Sequence, residues 1–287
     1  MALTMAHVGP VVEAELDIYR RRSPVRNALH LAALRGEHNL VSLLLEEGMD
    51  TDALDSEGNT ALHLATQKGH VVTVFKLLDA KADVDVCDAD QRTALHLAAQ
   101  GGYTDAIQLI LREGIAVNSR DREGKTAMLL ATCEGHEEGI LSLLRAGADI
   151  EDRDDNGRTA LLVAAGGALV GIVSLLLENG ADIGVSDNEG KTALHLATYY
   201  RPGHKDVISL LIEAGADVDA CDNNGQTALH LASRAAQHDI VSLLLGAGAN
   251  TSIKDNDGWI PMQFAVFHEH EEVIQILLAA RTNDSSC

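Results

Sequence analysis

Histidines are the residues of this sequence whose type and spacing most directly suggest chemistry. Five share one position of a repeated pattern and four share a second: His30, His63, His96, His195 and His230, then His70, His136, His204 and His270. A row of imidazoles could hold a series of metal ions. However, His268 and His270 lack the i, i+4 spacing of a helical zinc site. We therefore expect structural histidines and no metal.

A second stretch suggests calcium. Residues 152–157 read DRDDNG, which begins like a calcium-binding loop. The bidentate acid that should close such a loop would fall at Val163, so the loop is incomplete. Similar acidic segments recur along the chain, which favours a repeated turn over a calcium site.

Cys133 is the thiol that the repeat pattern places best for nucleophilic catalysis. Its neighbour Glu134 would raise the pKa of that thiol and so make it less reactive. The sequence also has no glycine-rich phosphate-binding loop. We expect no catalytic residue and no cofactor.

The elements that carry these residues repeat with a fixed period. The tetrapeptide TALH at residues 60–63 has counterparts that begin at Asn27, Thr60, Thr93, Thr126, Thr159, Thr192, Thr227 and Ile260, at spacings of 33 residues except for one of 35. In most units a capping threonine precedes a short apolar helix, and a glycine precedes a Leu-rich second helix. A second glycine and a polar turn lead to the next unit. Such a period predicts a repeat architecture.

Residues 187–197, which read DNEGKTALHLA and lead to GAD at 215–217, resemble the ankyrin repeat. The resemblance implies an all-α repeat solenoid of helix–turn–helix units with short β-hairpin fingers, stacked into a curved array. It also implies that the first set of imidazoles bonds the capping threonines, and that the fingers and first helices line a concave binding face. Short helix pairs cannot bury their apolar faces alone, so stacking is physically required.

The array is expected to span 22–287 in eight repeats: about 22–54, 55–87, 88–120, 121–153, 154–186, 187–221, 222–254 and 255–287. Residues 1–21 are expected to form an N-terminal capping helix, because Val12, Leu16 and Tyr19 have the spacing of one helix face.

Two patterns predict a binding face. The residue before each anchor is a cation in five units, namely Arg26, Arg92, Lys125, Arg158 and Lys191, and is Trp259 in the last. The seventh and eighth residues after the anchor include Tyr199, Tyr200 and Phe267. Aromatic and arginine side chains dominate binding hot spots, so the predicted partner-binding residues are Arg92, Lys125, Arg158, Lys191, Tyr199, Tyr200, Trp259 and Phe267. Two alternatives stay open: the cations pair with finger acids, as Arg92 with Asp90, and the tyrosines pack the two-residue insertion.

Composition narrows the partner. The chain is 46% hydrophobic with a formal net charge of −21, which disfavours nucleic acid and anionic membranes. No apolar run could span a bilayer, and no signal peptide or CxxC pair is evident, so we expect a cytoplasmic protein, with the nucleus as the alternative. The predicted function is a non-enzymatic, monomeric adaptor that binds an extended or acidic protein segment. The alternative is a small-molecule or unusual catalytic pocket at repeats 4–6, where Gly166 and Gly167 leave the backbone bare.

Overall fold

The computed structural model of the protein describes residues 26–199 and 204–284. The predicted capping helix at 1–21 and the predicted contact residue Tyr200 lie outside these ranges. Within them the chain forms sixteen α-helices, in which a short first helix alternates with a second helix. Their bounds are α1 Ala28–Arg35, α2 His38–Glu46, α3 Ala61–Gln67, α4 Val71–Asp79, α5 Ala94–Gln100, α6 Thr104–Arg112, α7 Ala127–Glu134, α8 Glu137–Arg145, α9 Ala160–Gly166, α10 Val170–Glu178, α11 Ala193–Tyr199, α12 Lys205–Glu213, α13 Ala228–Arg234, α14 His238–Gly246, α15 Pro261–Phe267 and α16 Glu271–Asp284. The predicted all-α solenoid of helix–turn–helix units is confirmed.

Each first helix begins where the sequence places the capping residue. Thr60 is extended, with φ −83° and ψ 169°, and its hydroxyl accepts a hydrogen bond from the backbone N–H of His63. This bond satisfies one of the amides that a helix start leaves unpaired. At the other end of such a helix, Gly36 adopts φ 70°, the left-handed conformation that closes α1.

The same left-handed backbone persists where the expected glycine is missing. Lys81, Ala168, Ala236 and Glu269 all have φ between 56° and 65°. An L-residue in this region costs about 1–2 kcal/mol through contact between its Cβ and the backbone. The neighbouring helices therefore hold the turn against an unfavourable local preference.

The fingers differ from the expected β-hairpins. In the described ranges a single isolated antiparallel bridge, Ser186 with Thr192, represents β-structure. The finger of repeat 2 is instead a tight turn, in which the backbone N–H of Asp55 donates to the carbonyl of Asn59 at 2.9 Å. The Asp55 carboxylate accepts from the N–H groups of Glu57 and Asn59. Because this buried side chain takes up amides that a strand partner would otherwise bind, the finger closes on itself.

The chain divides into two compact units, Met1–Ala148 and Asp149–Cys287. In the first unit α1, α3, α5 and α7 pack in succession, with α2, α4, α6 and α8 behind them. In the second unit α9, α11, α13 and α15 form the same succession, backed by α10, α12, α14 and α16. Small buried alanines such as Ala65 and Ala164, both fully excluded from solvent, let these short helices approach closely. The predicted bounds of one array over 22–287 stay a prediction.

Candidate functional site

Buried histidines tie several of the first helices to the segment that leads to the next repeat. The backbone N–H of Thr60 donates to Nδ1 of His63 at 3.2 Å, so that nitrogen carries no proton. The proton must then sit on Nε2, which donates to the carbonyl of Arg92 in the next finger at 3.1 Å. Burial lowers the pKa of His63, consistent with a neutral ring. His195 and His230 repeat these contacts. In His96 the Nδ1 contact is the same, but Nε2 lies 3.0 Å from the carbonyl oxygen of Ser119.

The second set of histidines links neighbouring repeats in a different way. His70 Nε2 lies 3.2 Å from the carbonyl oxygen of Leu34, and His136 and His270 make the equivalent contacts to Gln100 and Arg234. The members of both sets other than His204 therefore have structural partners, and Nδ1 of His204 is buried without a hydrogen-bond partner. In the described part of the chain no group of three or more His, Cys, Asp or Glu side chains is arranged to hold a metal ion.

Repeat 5 departs from this scheme. Leu162 stands where five repeats carry histidine, and the hydroxyl of Thr159 is buried without a hydrogen-bond partner. In repeat 4 Leu129 holds the same position, but there the Thr126 hydroxyl accepts a hydrogen bond from the backbone N–H of Leu129. The Nε of the preceding residue, Arg158, is also buried without a partner. Two adjacent polar atoms at the base of one finger are thus unsatisfied.

The row of cations before the anchors consists mostly of ion pairs. Arg26 binds Asp55 at 2.8 Å, Arg92 binds Asp88 at 2.8 Å, Lys125 binds Glu123 at 2.6 Å and Lys191 binds Glu189 at 2.5 Å. The hydrogen bond that Lys125 donates to Glu123 raises the pKa of Lys125. The alternative reading of finger-acid pairing therefore describes these four residues. Within residues 26–199 and 204–284, Arg158 is the member of the row with no ion pair.

Aromatic contacts show that the finger residue and the end of the first helix share one face. Lys191 Nζ lies 4.9 Å from the ring centroid of Tyr199 at the end of α11. Trp259 meets the ring of Phe267 at the end of α15, with 5.5 Å between centroids. Tyr199 is 51% exposed and Phe267 is 68% exposed. We call the surface formed in the second unit by Arg158, Lys191, Tyr199, Trp259 and Phe267 the finger face.

The sequence prediction of this face missed Phe264. Its ring lies 5.2 Å from that of Trp259 and 6.0 Å from that of His230, so it supports the exposed aromatic pair from below. The signal was present, because Phe264 occupies the position that is Leu64, Leu97 or Leu196 in other repeats. Arg92 and Lys125, also predicted as contact residues, belong to the first unit.

A depression of about 590 Å³ lies between α14 and α16, lined by residues such as Ser242, Leu245, Ala249 and Ile276. Its lining has no titratable side chain and so offers no acid–base catalysis. The alternative pocket at repeats 4–6 stays a prediction.

A family model for ankyrin repeats (three copies) matches residues 11–88, 72–154, 140–222 and 201–286. These matches cover well over half of the sequence, so the chain belongs to the ankyrin-repeat family. Ankyrin repeats are generally protein-interaction modules, and the fold is typically non-enzymatic.

Among solved structures the chain is similar to the human ASB11 ankyrin repeat domain, with 25% sequence identity and a TM-score of 0.69. The similarity covers 77% of this chain and 98% of that one. No curated protein sequence matches the chain. The described residues contain no helix that is long and apolar enough to cross a membrane.

Proposed function

We propose that this protein is a non-enzymatic adaptor or scaffold that binds an extended, acidic segment of another protein on the finger face of its second unit. The observation that carries the proposal is the exposure of Tyr199 and Phe267, each set against a finger residue on the same surface. Exposed aromatic rings beside cationic side chains are the usual composition of binding hot spots.

The fingers of the second unit are well ordered for such a role. The side-chain amide of Asn223 donates to the carbonyl of Asn188 at 3.0 Å, and that of Asn256 donates to the carbonyl of Asn223 at 3.0 Å. Asn188 in turn donates to the carbonyl of Asp155. This ladder fixes neighbouring finger tips to one another, which reduces the entropy lost when a partner binds.

The partner chemistry follows from charge. With a formal net charge of −21, the chain as a whole repels nucleic acid and anionic lipid. The finger face is an exception because it carries Arg158, which forms no ion pair in the described structure, beside Lys191, which pairs with Glu189. In the first unit Arg92 and Lys125 hold the equivalent positions, and we include them as secondary contacts that must exchange their internal acids for those of the partner. The proposal places the protein in the cytoplasm as a monomer, with the nucleus as the alternative compartment.

A capture experiment with matched variants tests the proposal. The wild type, Tyr199→Ala/Phe267→Ala and Val72→Ala/Phe75→Ala are immobilised, and proteins retained from a lysate of the source cells are quantified. Val72 and Phe75 are comparably exposed, at 54% and 49%, but lie on α4 of the first unit. We expect a set of proteins that the wild type and the α4 variant retain and that the finger-face variant loses by more than tenfold.

Equal retention by all three proteins would refute the site. Loss with the α4 variant alone would move the interaction surface to the second helices. Circular dichroism of each variant checks that helicity is unchanged.

A further inference from the structure

Arg158 differs from its counterpart Arg92 in how its guanidinium is used. Arg92 Nε donates to Oδ2 of Asp88 at 2.9 Å, four residues earlier in the same finger. Asp154 holds the same position relative to Arg158, and its Oδ1 accepts the backbone N–H of Arg158 at 2.8 Å. The Arg158 side chain, in contrast, forms no ion pair, and its Nε is buried without a partner in the described structure.

The sequence of the fingers removes one of the acids that could pair with Arg158. Arg92, Lys125 and Lys191 each follow an acid by two residues, namely Asp90, Glu123 and Glu189, and each forms an ion pair with it. Before Arg158 this position is Asn156. The finger of repeat 5 therefore offers a neutral amide where the other fingers offer a carboxylate.

Glu189 of the following finger does not form an ion pair with Arg158. The positive charge of Arg158 contributes to the lowered pKa of Glu189, after the hydrogen bond and charge of Lys191, so the two side chains are close enough to interact electrostatically. The ion pair of Glu189 nevertheless goes to Lys191. A guanidinium stays protonated at all relevant pH values and presents five N–H donors in a geometry that matches a carboxylate.

We infer that Arg158 is the carboxylate-recognition residue of the finger face, and that the partner segment presents an Asp or Glu side chain to it. This inference rests on the proposed function and specifies its chemistry. Among the cations of the row, Arg158 can form this pair without displacing an internal acid. Arg92, Lys125 and Lys191 would each have to break an existing ion pair first.

Repeat spacing sets where the rest of the partner lies. Packed helices are roughly 10 Å apart, and an extended chain advances roughly 3.3 Å per residue. Tyr199 belongs to the repeat after Arg158, so the ring should contact a partner residue about three positions from the acid. Trp259 and Phe267 lie two repeats further, so a second apolar residue should follow about nine positions from the acid. The recognised pattern is an acid and two apolar residues on an extended segment.

The test uses a phage-displayed library of random 16-residue peptides selected against the full chain. Wild type should enrich Asp or Glu with apolar residues at these spacings. Arg158→Gln should lose the acid enrichment and keep the apolar one, and Arg158→Glu should enrich Lys or Arg instead. Lys254→Glu is the matched control, because it makes the same charge change at an exposed finger position outside the row.

A selected peptide then gives the sharper measurement. Replacing its acid by the corresponding amide should weaken binding to wild type by more than tenfold and leave binding to Arg158→Gln unchanged, as a double-mutant cycle requires of a direct pair. The melting temperature of Arg158→Gln should not fall, since the side chain has no internal partner to lose.

The outcomes separate the two proposals. Peptides that need Tyr199 and Phe267 but keep their acid preference with Arg158→Glu would overturn the inference and leave the finger face standing. Peptides that are indifferent to Tyr199→Ala/Phe267→Ala, or an absence of any enriched peptide, would overturn the proposed function and the inference with it.

Discussion

The unsatisfied hydroxyl of Thr159 makes a prediction that runs against the usual effect of removing a helix cap. In repeat 7 the hydroxyl of Thr227 lies 2.9 Å from Nδ1 of His230, in a reciprocal cap at the start of α13. In repeat 5 Leu162 replaces that histidine, and Thr159 makes no side-chain cap bond at the start of α9. Both threonines are 1% exposed, so the comparison isolates the hydrogen bonding of the hydroxyl.

The two substitutions to valine should have opposite consequences. Thr227→Val removes a bonded cap and should lower the free energy of unfolding by about 1–2 kcal/mol. Thr159→Val removes a hydroxyl that is desolvated by burial and forms no compensating hydrogen bond, which costs about 1–3 kcal/mol in similar cases. The added methyl group also buries apolar surface. We therefore expect Thr159→Val to be neutral or to stabilise by about 1 kcal/mol, a difference of about 2 kcal/mol between the two variants.

Urea unfolding followed by circular dichroism measures the difference. At a slope of about 1–3 kcal/mol per M, 2 kcal/mol separates the midpoints by about 1 M. Because repeat arrays can unfold in steps, hydrogen exchange of amides in α9 and α13 should accompany the melt and localise each effect. An equal loss of stability in both variants would show that Thr159 makes a compensating bond, and the reasoning about repeat 5 would fail.

Further predictions follow from the turns and from the buried histidines. Ala236 has φ 56° where other repeats carry glycine. Ala236→Gly should therefore raise the free energy of unfolding by up to about 1 kcal/mol after the entropy cost of glycine. Gly102→Ala should lower the free energy of unfolding by more than about 1 kcal/mol, because φ at Gly102 is 68° and a Cβ would stand 2.6 Å from the ring of His136. Equal melting temperatures of this variant and wild type would contradict that packing. Burial lowers the pKa of His96 below 6.5, so between its folded value and 6.5 the unfolded chain binds more protons. Stability is then complete above pH 6.5 and falls as pH decreases through the folded pKa. In melts from pH 7.5 to 5.5, the stability of His96→Gln should fall less steeply with decreasing pH than that of wild type. Glutamine can replace the cap, since Gln263 Oε1 accepts the N–H of Ile260 at the same repeat position. An unchanged slope would show that His96 does not titrate on unfolding.

The repeat organisation was predictable because independent local signals share one period. The capping threonine, the glycine turns and the apolar helix faces all recur every 33 residues in most units, and each has a direct physical cause. The left-handed backbone of Lys81 and Ala168 was less accessible from sequence, because their side chains favour other conformations. The turn there is therefore set by packing within the folded repeats, which is a non-local constraint.

The fingers and the cation row show the limit of reasoning from residue types. The sequence led to β-hairpins, yet the carboxylate of Asp55 closes its finger through two backbone amides, which residue propensities alone do not reveal. Likewise Arg92 and Arg158 are the same residue at the same repeat position. Arg92 pairs with both Asp88 and Asp90, whereas Arg158 has Asn156 at the second of these positions and forms no ion pair with Asp154 in the described structure.

Asn156 provides a final prediction, in which one substitution should raise stability and weaken binding. Asn156→Glu places a carboxylate where the fingers of Lys125 and Lys191 carry Glu123 and Glu189. It should give Arg158 an internal partner and add about 0–1 kcal/mol of stability, as expected of an exposed pair.

The same substitution should abolish selection for acidic peptides while leaving the surface of Tyr199 untouched. The backbone N–H of Asn188 donates to the backbone carbonyl of Asn156, which the substitution retains, so the contact between the two fingers should survive the change. If Asn156→Glu melted at or above the wild-type temperature and still enriched acids, the open charge of Arg158 would have no part in recognition. A solenoid tolerates such a local defect because stability is spread over many neighbouring interfaces, so an unpaired Arg158 is compatible with a folded repeat 5.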